Sequence, residues 1–323
     1  MSNLDQISKL SGFSKATVSR VLNHSPHVSQ ATRERILAIM QELDYVPNGN
    51  AVSLSRGETM QIGMVTEGIN EVMLPFLNSF VETASRHGYQ TIVYTSGGDP
   101  AKELQAFEDM RGKRVDALAI TTCVNDQALL GSYSKYGPIV SWQRMELPEI
   151  QSVAMNQYDG YRLGLEHLIA RGYTRIANAY GRPASMNTSG RMQAYQDIMR
   201  ERALPVNPDW SQTGVYSIRE GEALIRRLLL SSGGHPDAIL CANDMVAAGV
   251  LSEARRLQVK VPEELAVIGF DNTELAHTLG ITSIDHPIAA QARNAFQLIL
   301  GKLKGVEAEQ EPLAFRLVQR ETT

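Results

Sequence analysis

From residue 60 onward, short apolar runs alternate with amphipathic helical stretches, and that alternation limits the fold class more than any motif does. MQIGMVT (60–66), QTIVYTS (90–96), VDALAIT (115–121) and PIVSW (138–142) have the length and apolar content of buried strands. Helical stretches fall near 74–86, 100–112 and 126–135. The pattern restarts after about 156 with helices near 158–171, 190–202, 217–231 and 244–257. Their strands are TRIANAY (174–180), DAILCAN (237–243) and LAVIGFDN (265–272). A helix from about Ile288 to Leu303 and a strand at PLAFRLVQR (312–320) complete the chain. Such order implies parallel sheets covered on both faces. One doubly wound sheet does not comfortably take so many strands, so two similar α/β lobes are expected.

The first 45 residues have a different character. LDQISKLSGFSKATVSRVLN (4–23) reads as two short amphipathic helices joined by a tight turn, with Ile7 and Leu10 on the first and Gly12 ending it. Ser14 is placed to cap the second helix, which turns Val18, Val21 and Leu22 to one side. Lys15, Ala16, Ser19, Arg20 and Asn23 are left on the other. A helix that enters a DNA groove needs this division, because one side locks against its neighbour while the other reaches bases and phosphates. An ordinary helical hairpin shares the apolar pattern. A third helix is expected from Ser29 to about Asp44, with Ile36, Leu37, Met40 and Leu43 turned inward. Three helices of this size make a small core that needs a larger body.

Charge supports the same division. The whole chain carries a net −4, yet residues 9–35 hold Lys9, Lys15, Arg20, Arg33 and Arg35 against Glu34 alone. A basic head on a mildly acidic body gives a local phosphate-binding footprint without general polyanion affinity. The two cysteines, Cys123 and Cys241, lie beside apolar runs and are expected to be buried thiols. The start MSNLDQISKLSGFS lacks a secretory pattern and no membrane span is evident, so a cytoplasmic protein is expected. Glycine-rich phosphate loops, HExxH, GxSxG and spaced His/Cys clusters are missing from the sequence, which argues against an enzyme, a bound metal or a cofactor.

Between head and body, Pro47 breaks the helical pattern and NGNAVSLSRG (48–57) follows. Ala51, Val52 and Leu54 sit oddly in a solvated tether. A segment that folds into a short helix only against DNA accounts for them, and a flexible tether with incidental apolar residues is the alternative.

Over essentially its whole length the chain resembles the LacI/GalR family of bacterial transcription regulators. The resemblance rests on SKATVSRVLN (14–23), VSQATRERILAIMQELDYVPN (28–48), AND (242–244) and VIGFDNTELA (267–276), in the family's order and spacing. Head and tether are somewhat closer to the family's catabolite-control branch. The resemblance implies an all-α helix-turn-helix head (1–46), a hinge segment (47–58) and an α/β core of two doubly wound lobes (59–323), similar to periplasmic sugar-binding proteins. The N-lobe would take about 59–157 and 287–311, and the C-lobe about 158–286 and 312–323.

It further implies a homodimer on a near-palindromic double-stranded operator. Lys15, Ala16 and Arg20 would face base edges, and Thr17, Ser19, Asn23 and His27 would make phosphate and further base contacts. Lys15 and Arg20 can reach guanine acceptors, while Ala16 offers only an apolar contact. Asn50, Ala51 and Leu54 would lie in the minor groove, Leu54 as a wedge. Val52 stands where the family often has arginine.

A small-molecule effector, expected to be a carbohydrate, would bind between the lobes against Phe76, Gln143, Arg191, Tyr216, Asn243 and Asp271, with Thr121 and Trp142 nearby. Gln143 stands where many members have aspartate, which removes an anionic acceptor. Several of these residues also have a purely structural reading: Asn243 as a helix cap, Asp271 with Asn272 as a turn, Tyr216 as packing. Two other functions compete: a regulator switched by a protein coregulator in catabolite control, and a carbohydrate-binding transport protein, which leaves the head unexplained.

Overall fold

A computed structural model describes residues 4–23, 25–46, 57–183, 185–231 and 234–323. Residues 47–56, and with them the expected minor-groove residues Asn50, Ala51 and Leu54, lie outside the described residues.

The head is three helices, α1 (Leu4–Ser11), α2 (Lys15–Leu22) and α3 (Gln30–Glu42). Gly12 follows α1 at φ +75 with open space around it, so its backbone angle alone requires glycine. Ser14 and Ser29 cap α2 and α3, their hydroxyls accepting from the Thr17 and Thr32 amides at 3.2 and 3.3 Å. Ile7, Val18, Val21, Ile36 and Met40 form the core. Leu37 is not turned inward as expected but is 47% exposed, and Leu10 is 53% exposed. A helix turns about 100° per residue, so a stripe centred on Ile36 and Met40 carries Leu37 well to one side. In α1 the buried pair is Ile7 and Ser11, which leaves Leu10 off the stripe.

The body holds two separate sheets. The first consists of β1 (Gln61–Thr66), β2 (Gln90–Thr95), β3 (Ala117–Ile120), β4 (Ile139–Ser141) and β5 (Gln151–Ser152). They are all parallel, in the order β2-β1-β3-β4-β5. Its connecting helices are α4 (Leu74–Arg86), α5 (Pro100–Arg111) and α6 (Gln127–Gly131). The expected helix near 126–135 is α-helical only to Gly131 and tightens to a 3₁₀ turn over Ser132–Lys135.

The second sheet contains β6 (Ile176–Ala179), β7 (Ser211–Gln212), β8 (Ala238–Leu240), β9 (Ala266–Phe270) and β10 (Thr282–Asp285). Its helices are α7 (Gln157–Ala170), α8 (Met186–Glu201), α9 (Ile218–Leu229), α10 (Asp244–Arg256) and α11 (Glu274–Thr278). Helix α8 starts four residues before the expected 190, because Ser185 caps it through the Thr188 amide at 3.1 Å. After β10 the chain returns to the first lobe as α12 (Ile288–Lys304), which packs on α4. It then returns to the second sheet as β11 (Arg316–Val318), antiparallel to β10 at the edge of the order β11-β10-β9-β8-β6-β7. This strand is three residues long, shorter than the apolar run 312–320 suggests.

The central strands of each sheet are buried on both faces, while the edge strands β2, β5, β7 and β11 are half-buried or exposed. In the first lobe Phe76, Phe80 and Phe296 cover one face, while Phe107, Met110 and Leu130 cover the other. The start of the body is pinned by the Asp116 carboxylate, which accepts from the Thr59 amide at 2.9 Å and the Met60 amide at 2.8 Å. In the second lobe α9 and α10 cross at backbone contact, since a Cβ on Gly249 would lie 2.0 Å from the Ile218 carbonyl oxygen. That oxygen belongs to backbone and cannot swing away. Gly249→Ala is therefore expected to destabilise the folded chain by about 3 kcal/mol, read as a lowered denaturant midpoint, whereas an unchanged midpoint contradicts this close crossing.

Candidate functional site: a helix face and an interlobe cleft

Parallel pairing brings the carboxyl ends of strands from both lobes to one junction. A cleft of about 1150 Å³ opens there. Its wall includes Thr121 after β3, Trp142 and Gln143 after β4, Asn243 after β8, Asp271 after β9 and His286 after β10.

Arg191, from α8, is the most constrained of the lining groups. It is 9% exposed, and its Nε and Nη2 donate to Gln157 Oε1 at 3.1 and 2.7 Å. Nη1 donates to the Ala242 carbonyl at 2.8 Å, and the guanidinium lies 3.8 Å over the Phe270 ring. Burial pulls its pKa below the usual arginine value, and the Asp271 charge works in the opposite direction. Three donors are thus used to hold the group, and two of its five N–H bonds are left for a ligand.

Asn243 keeps both of the readings its sequence offers. Its Oδ1 accepts from the Val246 amide at 2.9 Å as the cap of α10, and its Nδ2 donates to the Tyr216 carbonyl at 3.2 Å. That second bond ties the cap to the Tyr216 loop, and both residues line the cleft. Asp271 sits at φ +92, a left-handed position that is costly for a non-glycine residue, and turns its carboxylate to His286 Nδ1 at 3.1 Å.

Gln143 lines the cleft with its backbone held by Ser141 Oγ at 3.0 Å and Ser152 Oγ at 2.7 Å. Thr121 also lines it but is 2% exposed, its hydroxyl donating to the Val65 carbonyl at 3.2 Å.

Phe76 is a correction. It does not reach the cleft but is 1% exposed in the first lobe's core, stacked 4.8 Å from Trp142. Trp142 takes the wall position instead, with its Nε1–H donating to Gln291 Oε1 at 3.1 Å. Cys123 departs from its expected burial as well: it is half-buried and lines the cleft, with desolvation pushing its thiol up. Cys241 is buried as expected.

Sequence reasoning missed His286, Gln157 and Gln291. His286 was findable, because it follows a strand end just as Asn243 and Asp271 do. The two glutamines carry no such signal, since each begins or lies within a helix and points inward only through tertiary packing.

In the head, Lys15, Ala16, Arg20 and His27 are exposed, while Thr17, Ser19 and Asn23 are half-buried along the same helix and the turn after it. Thr17 Oγ1 hydrogen-bonds Ser14 Oγ at 3.0 Å, and Asn23 Nδ2 donates to Ser19 Oγ at 3.5 Å. Lys15 pairs with Asp5, both largely exposed. Such a pair is worth at most about 1 kcal/mol, so phosphate or guanine can displace the carboxylate.

Among the described residues no helix is long and apolar enough to cross a membrane, and no group of three His, Cys, Asp or Glu is arranged to hold a metal ion.

The comparisons with known proteins agree with both parts of the chain. Residues 3–48 match the model of bacterial regulatory proteins of the lacI family, and residues 165–323 match a periplasmic binding protein-like domain. The HTH-type transcriptional regulator YkvZ of Bacillus subtilis strain 168 is 31% identical over 327 residues, with 100% of each chain covered. The lac repressor dimer bound to operator and the anti-inducer ONPF is 26% identical with a TM-score of 0.85, covering 99% of this chain and 98% of that one. A complex of the transcriptional regulator CelR with cellobiose is 25% identical with a TM-score of 0.71, covering 100% of both.

A helix-turn-helix head joined to a two-lobed body with an interlobe cleft, in a chain whose relatives are LacI-type regulators, defines a DNA-binding transcription regulator, and not an enzyme. The chain belongs to the LacI family, with a repressor-type architecture.

Directly behind the cleft, Asp244 is 1% exposed and accepts from Ser283 Oγ at 2.6 Å and from the Thr273 amide and hydroxyl at 2.6 and 2.9 Å. Burial pushes its carboxyl from 3.8 up to about 6, and those hydrogen bonds oppose the rise. A raised folded-state pKa means that the native state binds the extra proton. The associated stability is fully present below the unfolded value and is lost as pH rises through about 6. Unfolding free energies of the natural chain and Asp244→Asn should therefore diverge by on the order of 2 kcal/mol between pH 7.5 and 4.5, in favour of the natural chain at low pH. Parallel pH curves for the two proteins contradict this.

Proposed function

We propose that this protein is a homodimeric repressor that binds a near-palindromic operator in the cytoplasm and whose DNA affinity is set by a polyhydroxylated small molecule in the interlobe cleft. The observation that carries the reading is the pairing, in one chain, of an exposed Lys15–Arg20 face with a cleft floor built from Arg191, Asn243 and Asp271.

Each half has matching chemistry. Lys15 and Arg20 present donors suited to guanine, Ala16 presents a methyl group, and Thr17, Ser19, Asn23 and His27 supply the flanking polar contacts. In the cleft Asp271 accepts from hydroxyls, Arg191 and Asn243 donate to hydroxyl or ring oxygens, Tyr216 offers an aromatic face to a sugar's apolar side, and Trp142, stacked on Phe76 and His286, contributes apolar wall. Gln143 adds a neutral hydrogen-bonding group. The CelR complex holds cellobiose on the same fold, which supports a carbohydrate as ligand class.

The reading divides the chain into a reading head (1–46), a hinge (47–58) with Asn50, Ala51 and Leu54 in the minor groove, and a core (59–323) that dimerises and binds the ligand. A transport protein has no use for the head.

Selection of duplexes from a randomised library by the full chain tests the DNA half. A near-palindromic site is expected, with Arg20→Ala weakening it by about 1–3 kcal/mol and relaxing preference at one base pair per half-site. A chain lacking residues 1–57 is expected to lose that site and keep its ligand. Enrichment of no sequence, or unchanged selection by Arg20→Ala, contradicts the assignment.

A further inference from the structure

His286 occupies the segment through which the chain passes from β10 into α12, and so from the second lobe into the first. Its side chain is 8% exposed, and its ring is held on several sides. Trp142 from the first lobe stacks at 6.5 Å, and Phe315 and Phe270 from the second lie at 5.2 and 6.0 Å. Through Trp142 the stack continues to Phe76 at 4.8 Å. A row of rings thus runs from one lobe's core to the other's, and its Trp142 and His286 form part of the cleft wall.

The polar atoms of this ring are unequally treated. Nδ1 lies 3.1 Å from Asp271 Oδ1, and Nε2 is buried with no hydrogen-bond partner among the described residues. A carboxylate oxygen can only accept, so Nδ1 carries the proton and donates. An orphaned buried nitrogen is costly, and a phenylalanine in its place would fill the aromatic wall without that cost. Packing alone therefore does not explain an imidazole here. What the imidazole supplies, and a phenyl ring does not, is a donor for Asp271.

We propose that His286 is the positioning residue for the ligand's main acceptor: it fixes one oxygen of Asp271, turns the other to a ligand hydroxyl, and ties that contact to the lobe crossover. The proposal rests on the polyhydroxylated-ligand reading above. Asp271 needs such a partner. Its backbone lies in the left-handed region, and its neighbour Asn272 is committed elsewhere, its Nδ2 donating to Asp285 Oδ1 at 3.1 Å and its Oδ1 accepting from Arg320 Nη2 at 2.7 Å. The imidazole is what keeps the carboxylate from rotating.

The test uses the full chain, with glucose, sucrose, cellobiose and maltose as probes in titration calorimetry, and compares it with His286→Phe and His286→Gln. A glutamine can still donate an N–H to Asp271. Expected is a loss of at least tenfold in affinity for the binding probe in His286→Phe with no lowering of the thermal midpoint. His286→Gln should bind within about threefold of the natural chain.

Equal affinity in all three proteins overturns the proposal. So does an equal loss of affinity in both variants together with a lowered midpoint, which is the mark of a packing role alone. If none of the probes binds the natural chain, the carbohydrate reading fails and this proposal fails with it. A separate readout needs no ligand: ¹⁵N spectra of histidine-labelled protein, with the His286 signal identified by its absence in His286→Gln. A protonated Nδ1 and a bare Nε2 are expected, and the opposite tautomer overturns the proposal.

Discussion

Parallel strand pairing within two separate sheets is the constraint from which the rest of the architecture follows. In a parallel sheet every strand ends at the same edge, and here the carboxyl ends of strands from both sheets come to the same junction. Residues far apart in sequence, such as Trp142, Asn243 and Asp271, therefore meet around one cleft. The chain crosses between lobes three times, after β5, after β10 and after α12, so three passages of backbone join the lobes. Any rearrangement of one lobe against the other must act through those three crossings, and one of them carries His286.

Within that frame the cleft combines rigid and costly groups. Arg191 is desolvated and forms no ion pair among the described residues, yet it is held by Gln157, the Ala242 carbonyl and the Phe270 face. Asp271 is held at an unfavourable backbone angle, and Asp244 behind it keeps a carboxyl at about 6. Each of these lowers stability unless it is compensated, and of the three only Arg191 and Asp271 line the cleft, as a preorganised set of donor and acceptor. A small polyhydroxylated molecule can exploit such a set without reordering it.

Much of this arrangement was legible from sequence, for identifiable reasons. Strands such as Gln61–Thr66 and Ala266–Phe270 are buried on both faces and read as continuous apolar runs. Ser14 and Ser29 declared their helices through capping chemistry that is local in sequence. The misreadings lie where tertiary packing decides. Phe76 and Trp142 are both large aromatic residues near strand or helix ends, and only the stacking of one on the other shows which faces the cleft. Leu37 has the right hydrophobicity for the head's core but the wrong rotation around α3. Gln157 and Gln291 are indistinguishable from surface glutamines until Arg191 and Trp142 are placed beside them.

The proposed control of DNA binding requires the cleft and the reading head to be coupled through the segment that joins them. The most direct measurement is operator affinity by fluorescence anisotropy at fixed salt, with and without a saturating concentration of a sugar shown to bind the cleft. A change of about 5- to 150-fold is predicted, the range a coupling of one to three kcal/mol produces. Identical operator affinity at full occupancy of the cleft contradicts that coupling.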